Sequence, residues 1–156
     1  MDRRKEEAME GMELRVPTQK DEADWRRLWT AYLDFYETKV SEEVYRTTWE
    51  RIHSGGEFEP KCMLAVVKTQ PVGLVHYLFH RTCWSQVNNC YLQDLYVDPE
   101  LRGTGLGRVL IEEVKREANA VGVTNVYWMT HETNTTARKL YDHVARRTGF
   151  IEYDLS

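Results

Sequence analysis

The chain has 156 residues, 42% of them hydrophobic and 29% charged, with 21 Lys and Arg against 25 Asp and Glu for a formal net charge of -4. That length can bury roughly 68–70% of the unfolded surface in one domain, and the composition excludes long disorder, collagen and coiled coil. The acidic balance argues against a nucleic-acid partner, whose first signature is a basic excess. No apolar run approaches the ~20 residues of a membrane span, and the polar start carries no apolar signal region, so a cytoplasmic protein is expected. Cys62, Cys83 and Cys90 are odd in number and form no CxxC pair, so neither a disulfide framework nor a metal site is expected.

Residues 1–11 read as a flexible tail ahead of a single domain over 12–156. Glu13 to Val16 alternates like a short strand that Pro17 stops. Trp25, Leu28, Trp29, Tyr32, Leu33 and Tyr36 then fall on one helical face, and Val44, Tyr45, Thr48, Trp49 and Ile52 on a second, closed by Gly55 and Gly56. Strand signals follow at Cys62–Lys68, at Val72–His80 beyond a turn at Thr69-Gln70-Pro71, and at Asn89–Val97, together an antiparallel meander. Leu106 to Val121 is a long amphipathic helix, Asn125–Thr130 a strand, Asn134 to about Arg147 a helix and Phe150–Leu155 a last strand. The order β-α-α-β-β-β-α-β-α-β predicts an α/β (α+β) domain with a mixed central sheet and helices on both faces.

The most informative stretch is LQDLYVDPELRGTGLGRVL, residues 92–110. A strand ends at Val97, and Arg102-Gly103-Thr104-Gly105-Leu106-Gly107 leads straight into a helix. Glycines let the backbone turn its N–H groups onto a ligand, and the helix terminus adds roughly half a positive charge, which makes an anion cradle. No Gly-Lys-Ser/Thr follows, so nucleotide hydrolysis is a poor reading, and the third glycine of a dinucleotide fingerprint would fall on Arg108. From residue 101 to 149 eight bases face five acids, a balance suited to a polyanion; from 34 to 60 seven acids face three bases, which suits a cation.

These residues match Arg/Gln-x-x-Gly-x-Gly/Ala after a Leu-x-Val strand, and the chain resembles the GNAT superfamily of N-acetyltransferases, nearest its fungal histone/polyamine and diamine subgroups. A second motif supports the resemblance: Asn134-x-x-Ala137-x-x-Leu140-Tyr141, then Gly149-Phe150. The resemblance implies a sheet of six or seven strands and acetyl-CoA as donor. Leu95, Tyr96 and Val97 would bond the pantetheine from a splayed strand edge. The backbone of Arg102, Gly103, Thr104, Gly105, Leu106 and Gly107 would cradle the pyrophosphate, with Arg108 adding a charge-assisted contact. Asn134 would reach the cofactor, and Tyr141 would protonate the leaving thiolate. The family usually has three residues between this tyrosine and the Gly-Phe pair; here there are seven.

For the acceptor, the resemblance implies a small cationic amine or amino acid, met by Tyr36 and Glu37 at the end of the first long helix. The diamine enzymes carry a Glu where this chain has Gln93, and an amide cannot take a proton. Proton loss through ordered water oriented by Gln93 is therefore favoured over Asp94 as base, since Asp94 lies on the opposite face of the strand. A protein-lysine acetyltransferase and a non-catalytic acetyl-CoA-binding module are the alternatives. A final strand carrying Phe150, Ile151 and Tyr153 would leave an open edge, from which a homodimer built through the C-terminal strand is expected.

Overall fold

The computed structural model describes residues 3–156. Of the tail expected over residues 1–11, residues 1 and 2 lie outside the described residues, and Arg3–Met9 form a short helix, α1, whose Met9 packs against the core. After β1 (Glu13–Arg15), a 3-10 turn at Gln19–Asp21 launches α2 (Glu22–Phe35). The Asp21 carboxylate fixes that corner by accepting the Thr18 backbone N–H at 2.7 Å and two Arg15 guanidinium nitrogens at 2.6 and 2.9 Å. At the other end of α2, Glu37 N–H donates to Asp34 O and Thr38 N–H to Leu33 O, both at 3.0 Å. This Schellman closure puts Glu37 in the left-handed region, φ 54°. Helix α3 (Glu42–Ser54) is capped by Ser41, whose Oγ accepts Val44 N–H at 3.3 Å, and ends at left-handed Gly55.

The meander is present as β2 (Lys61–Val67), β3 (Gln70–His80) and β4 (Asn89–Val97). Its first turn is Lys68-Thr69, with φ 48° and 68°, one residue earlier than expected. Two consecutive positive φ values suit the right-handed twist of a tight hairpin. Pro71 lies inside β3, where the β2 register shifts between Ala65 and Val66. Then come α4 (Leu106–Ala120), β5 (Val126–Tyr127) and α5 (Thr135–Val144). The sheet order is β1-β2-β3-β4-β5, antiparallel except for β5, which runs parallel to β4.

Alternation along the strands splits the core in two. Cys62, Leu64, Val66, Leu74 and Tyr96 pack against Trp25 and Leu28 of α2 and Trp49 and Ile52 of α3. Met63, Ala65, Val75, Cys90 and Leu92 pack against Leu106, Leu110, Ile111 and Val114 of α4, with Leu140, Tyr141 and Val144 of α5 half-buried at the margin. The class is the expected one, but among the described residues the sheet has five strands rather than six or seven. The strand expected at Phe150–Leu155 is absent, and residues 145–156 carry no regular structure; a strand needs a neighbour, and among the described residues the segment has none. Strand β5 is likewise shorter than the expected Asn125–Thr130, and α5 stops at Val144. No helix among the described residues is long and apolar enough to cross a membrane.

Candidate active site

The site is organised around β4. On one side β4 pairs with β3 along its length, but His76 faces Asp94 while Tyr77 faces Leu92, so Gln93 is the extra residue of a bulge and lies exposed. On the other side β4 meets β5 only through Cys90 with Val126 and Tyr91 with Tyr127. Beyond Tyr91 that edge has no strand beside it among the described residues, and Leu95, Tyr96 and Val97 lie along the open stretch. Such an edge offers its backbone groups to an extended guest. The Val97 carbonyl already accepts Arg102 Nε at 3.3 Å.

The chain then turns through Pro99–Leu101 into the glycine segment. Gly103 and Gly105 have φ 76° and 91°, values that side chains disfavour, and they present the start of α4 as a bare backbone loop. Among the described residues none of the backbone N–H groups from Gly103 to Arg108 has a protein acceptor; Val109 N–H is the first to bond back, to Gly105 O at 3.0 Å. These orphan donors at a helix N-terminus are what a pyrophosphate satisfies. Thr104 closes the loop by donating from Oγ1 to Leu101 O at 2.6 Å. The Arg102 side chain leans away over Phe35 and Tyr96, and Arg108 is paired along its own helix with Glu112 at 2.8 Å. Gly107 has a packing reason: a Cβ there would come within 3.3 Å of Leu140, so it admits α5 against α4.

Helix α5 brings the second motif alongside. Asn134 caps it, with Oδ1 accepting Ala137 N–H and Nδ2 donating to Thr130 Oγ1, each at 3.4 Å. Two turns on, Tyr141 packs edge-on against Trp128, ring centroids 5.4 Å apart. Its hydroxyl has no protein hydrogen-bond partner among the described residues. Burial, aided by Tyr36, pushes the Tyr141 phenol up to about 12, so it holds its proton at neutral pH. Tyr36 is thus brought near Tyr141, at the head of an aromatic run in which Tyr32 lies 5.0 Å from Tyr36 and 5.0 Å from Trp29. Glu37 is exposed at the helix end.

The sequence reading names Trp25 and Asp94 but misses His76, which joins them. Trp25 Nε1 donates to His76 Nε2 at 2.9 Å, and His76 Nδ1 lies 3.0 Å from Asp94 Oδ2, all three buried. Tyr32 faces the same carboxylate, and burial with the Asp94 charge holds its phenol well above the ordinary range. The sequence signal is faint: a lone His in an apolar strand, 18 residues from its partner.

Comparison with known proteins fits this geometry. The family profile described as Acetyltransferase (GNAT) matches residues 25–145. The chain belongs to the GNAT family of acetyltransferases. It is similar to the D-amino-acid N-acetyltransferase HPA3 of Saccharomyces cerevisiae, 36% identical over 135 residues covering 86% of this chain and 84% of that protein. It is also similar to the thialysine N-epsilon-acetyltransferase of Bos taurus, 30% identical over 114 residues, 66% of each chain. Among solved structures, an aminoglycoside N-acetyltransferase AAC(6')-Iy in complex with CoA superposes with a TM-score of 0.79 over 93% of this chain and 94% of that one, at 16% identity, a likeness of fold. The chain is an acetyl-CoA-dependent N-acetyltransferase, and the free N–H groups at α4 with the open β4 edge fit that donor.

Proposed function

We propose that the chain acetylates a small primary amine, a cationic amine or an amino acid, in the cytoplasm and as a homodimer. The observation that carries the reading is the run of unpartnered backbone N–H groups from Gly103 to Arg108 beside a β4 edge left open beyond Tyr91. Bound acetyl-CoA supplies the activated acetyl thioester. Leu95 to Val97 hold its pantetheine arm, the Gly103 to Arg108 backbone holds its pyrophosphate, the Arg102 N–H being already bonded to Pro99 O at 3.3 Å, and the Arg108 side chain can swing from Glu112 to a phosphate. Asn134 sets the start of α5 and so aims Tyr141, whose hydroxyl protonates the departing thiolate. Tyr36 and Glu37 receive the amine, drawn in by the acids of residues 34–60.

The relatives' substrates support an amine of amino-acid size, since the names of the yeast and bovine proteins specify D-amino acids and thialysine. Dimerisation is supported by two uncovered surfaces. No residue of α5 is fully buried, and the segment beyond it exposes Phe150 by 80%, Ile151 by 74%, Tyr153 by 89% and Leu155 completely. A second copy that lays this segment beside the free edge of β5 covers both. Replacing Tyr141 by Phe tests the site: kcat is expected to fall about 10²-fold or more with acetyl-CoA affinity unchanged, whereas undiminished turnover removes Tyr141 from its role.

A further inference from the structure

Resting on this acetyl-transfer reading, we propose that Tyr127, oriented by His80, determines which amine is used: it receives the far ammonium of a diamine and disfavours a substrate that ends in a carboxylate. The direction of approach follows from the cofactor's path. The pyrophosphate cradle lies beyond the C-terminal end of β4 and the pantetheine edge runs back along Val97 to Leu95, so the thioester ends near the Gln93 bulge and the amine comes from the Asn89 end. At that end Cys90, Val126 and Phe79 pack toward α4, so their neighbours Tyr91, Tyr127 and His80 face the α2 side. Tyr91 and Tyr127 pair across β4 and β5 with stacked rings, centroids 5.0 Å apart and 8° from parallel. Tyr32 joins them to the site, since its phenol is pushed up by burial and also by Asp94, Tyr36 and Tyr91.

The hydrogen bonds set the chemistry of Tyr127. The Arg81 carbonyl can only accept, so His80 Nδ1, 2.7 Å away, donates to it. In the neutral ring Nε2 then has only a lone pair, and the Tyr127 hydroxyl, 2.7 Å from it, must donate. With its one proton committed, the Tyr127 oxygen can only accept a further hydrogen bond. An ammonium N–H satisfies it, whereas a carboxylate oxygen brings a second lone pair against the first.

The surrounding field favours the same choice. Burial raises the Tyr91 phenol, and the charges acting on it, Asp94 and Glu152, are both negative. Among the described residues no Lys or Arg acts on either phenol, and the guanidinium of neighbouring Arg81 lies over Phe58, 5.4 Å from the ring centroid. The tyrosine faces add cation–π attraction. Tyr91 precedes the Gln93 bulge by two residues, roughly 7 Å along the strand, about the separation of the nitrogens in a four- or five-carbon diamine. Of a cationic amine and an amino acid, this side of the site fits the first.

The test uses the full chain and substrates that share one five-carbon chain and differ only at the far end: the α,ω-diamine, the monoamine and the ω-amino acid. Thiol release from acetyl-CoA gives kcat and KM for each, and calorimetry gives acetyl-CoA affinity. The wild type is expected to favour the diamine over the other two by about tenfold or more in kcat/KM, chiefly through KM, the scale of one charge-assisted hydrogen bond. Y127F keeps the stacked ring and should lower the diamine's kcat/KM about tenfold, again through KM, with less than about a threefold change for the monoamine. H80L removes the group that takes the Tyr127 proton, so the freed hydroxyl can donate and the preference for diamine over ω-amino acid should fall about tenfold. H80Q, whose amide oxygen accepts from the hydroxyl, should restore most of that preference, and acetyl-CoA affinity should be unchanged in all three variants. A wild type that treats the diamine and the monoamine alike, or variants that lose all three substrates in equal measure, overturns the proposal. No thiol release toward any amine sinks the acetyl-transfer reading itself, whereas release without discrimination sinks this assignment alone.

Discussion

Single residues carry more of this protein's organisation than their sequence context reveals. Asp21 is an example: in the fold it closes a corner with Arg15 and Thr18 that seats α2 against β1. The Arg15 hydrogen bonds, ahead of the cost of burial, hold its carboxyl well below the usual carboxylate range. A depressed carboxylate contributes stability that is fully present above its unfolded value of ~3.9 and is lost as pH falls through the folded one. Asp21→Asn is therefore expected to cost about 1.5–3 kcal/mol at pH 7, and the gap to wild type should narrow steadily below pH ~3.9 in urea titrations. A gap independent of pH would show that the charge is not what holds the corner. The His76–Asp94 pair illustrates the opposite limit of legibility. Strand period places Asp94 away from Gln93, but the His76 partner comes from register and from a bulge, which are properties of two strands together and are not written in either one.

At the scale of elements, what the sequence shows well are features carried by a local pattern. The helical faces of α2 and α4, the meander and the glycine entry to α4 stand where the apolar spacing and the turn residues place them. Elements that depend on a neighbour are where the reading departs from the fold. Strand β5 is limited to Val126–Tyr127, the two residues that pair with Cys90 and Tyr91, and where that pairing stops the β4 edge is left open. The glycine loop makes the element-scale prediction. A Cβ at Gly105 meets nothing within 4 Å, so space is not the constraint; the backbone at φ 91° is. Gly105→Val would force the loop out of that conformation and turn its N–H groups away from one another. Calorimetry is expected to show acetyl-CoA affinity reduced at least tenfold while circular dichroism is unchanged, and wild-type affinity in this variant would remove the cradle from the account.

For the whole molecule, the β5 side is unfinished in a way the rest is not. One edge of the sheet is two residues long, α5 above it has no fully buried residue, and the apolar segment that could cover both extends uncovered past Ala145. Light scattering at micromolar concentration should give twice the chain mass. Removing residues 150–156 should lower that mass to one chain without loss of helix signal, and a wild-type protein of one chain mass would refute the dimer. The central claim, a GNAT fold whose open β4 edge, free N–H cradle and Tyr141 act together on small amines, is tested most directly by thiol release from acetyl-CoA followed in real time against polyamines, D- and L-amino acids and histone-tail peptides. Saturable thiol release with at least one small amine, and none with the peptides, is the predicted result; turnover confined to the peptides, or binding of acetyl-CoA with no release toward any amine, would contradict it.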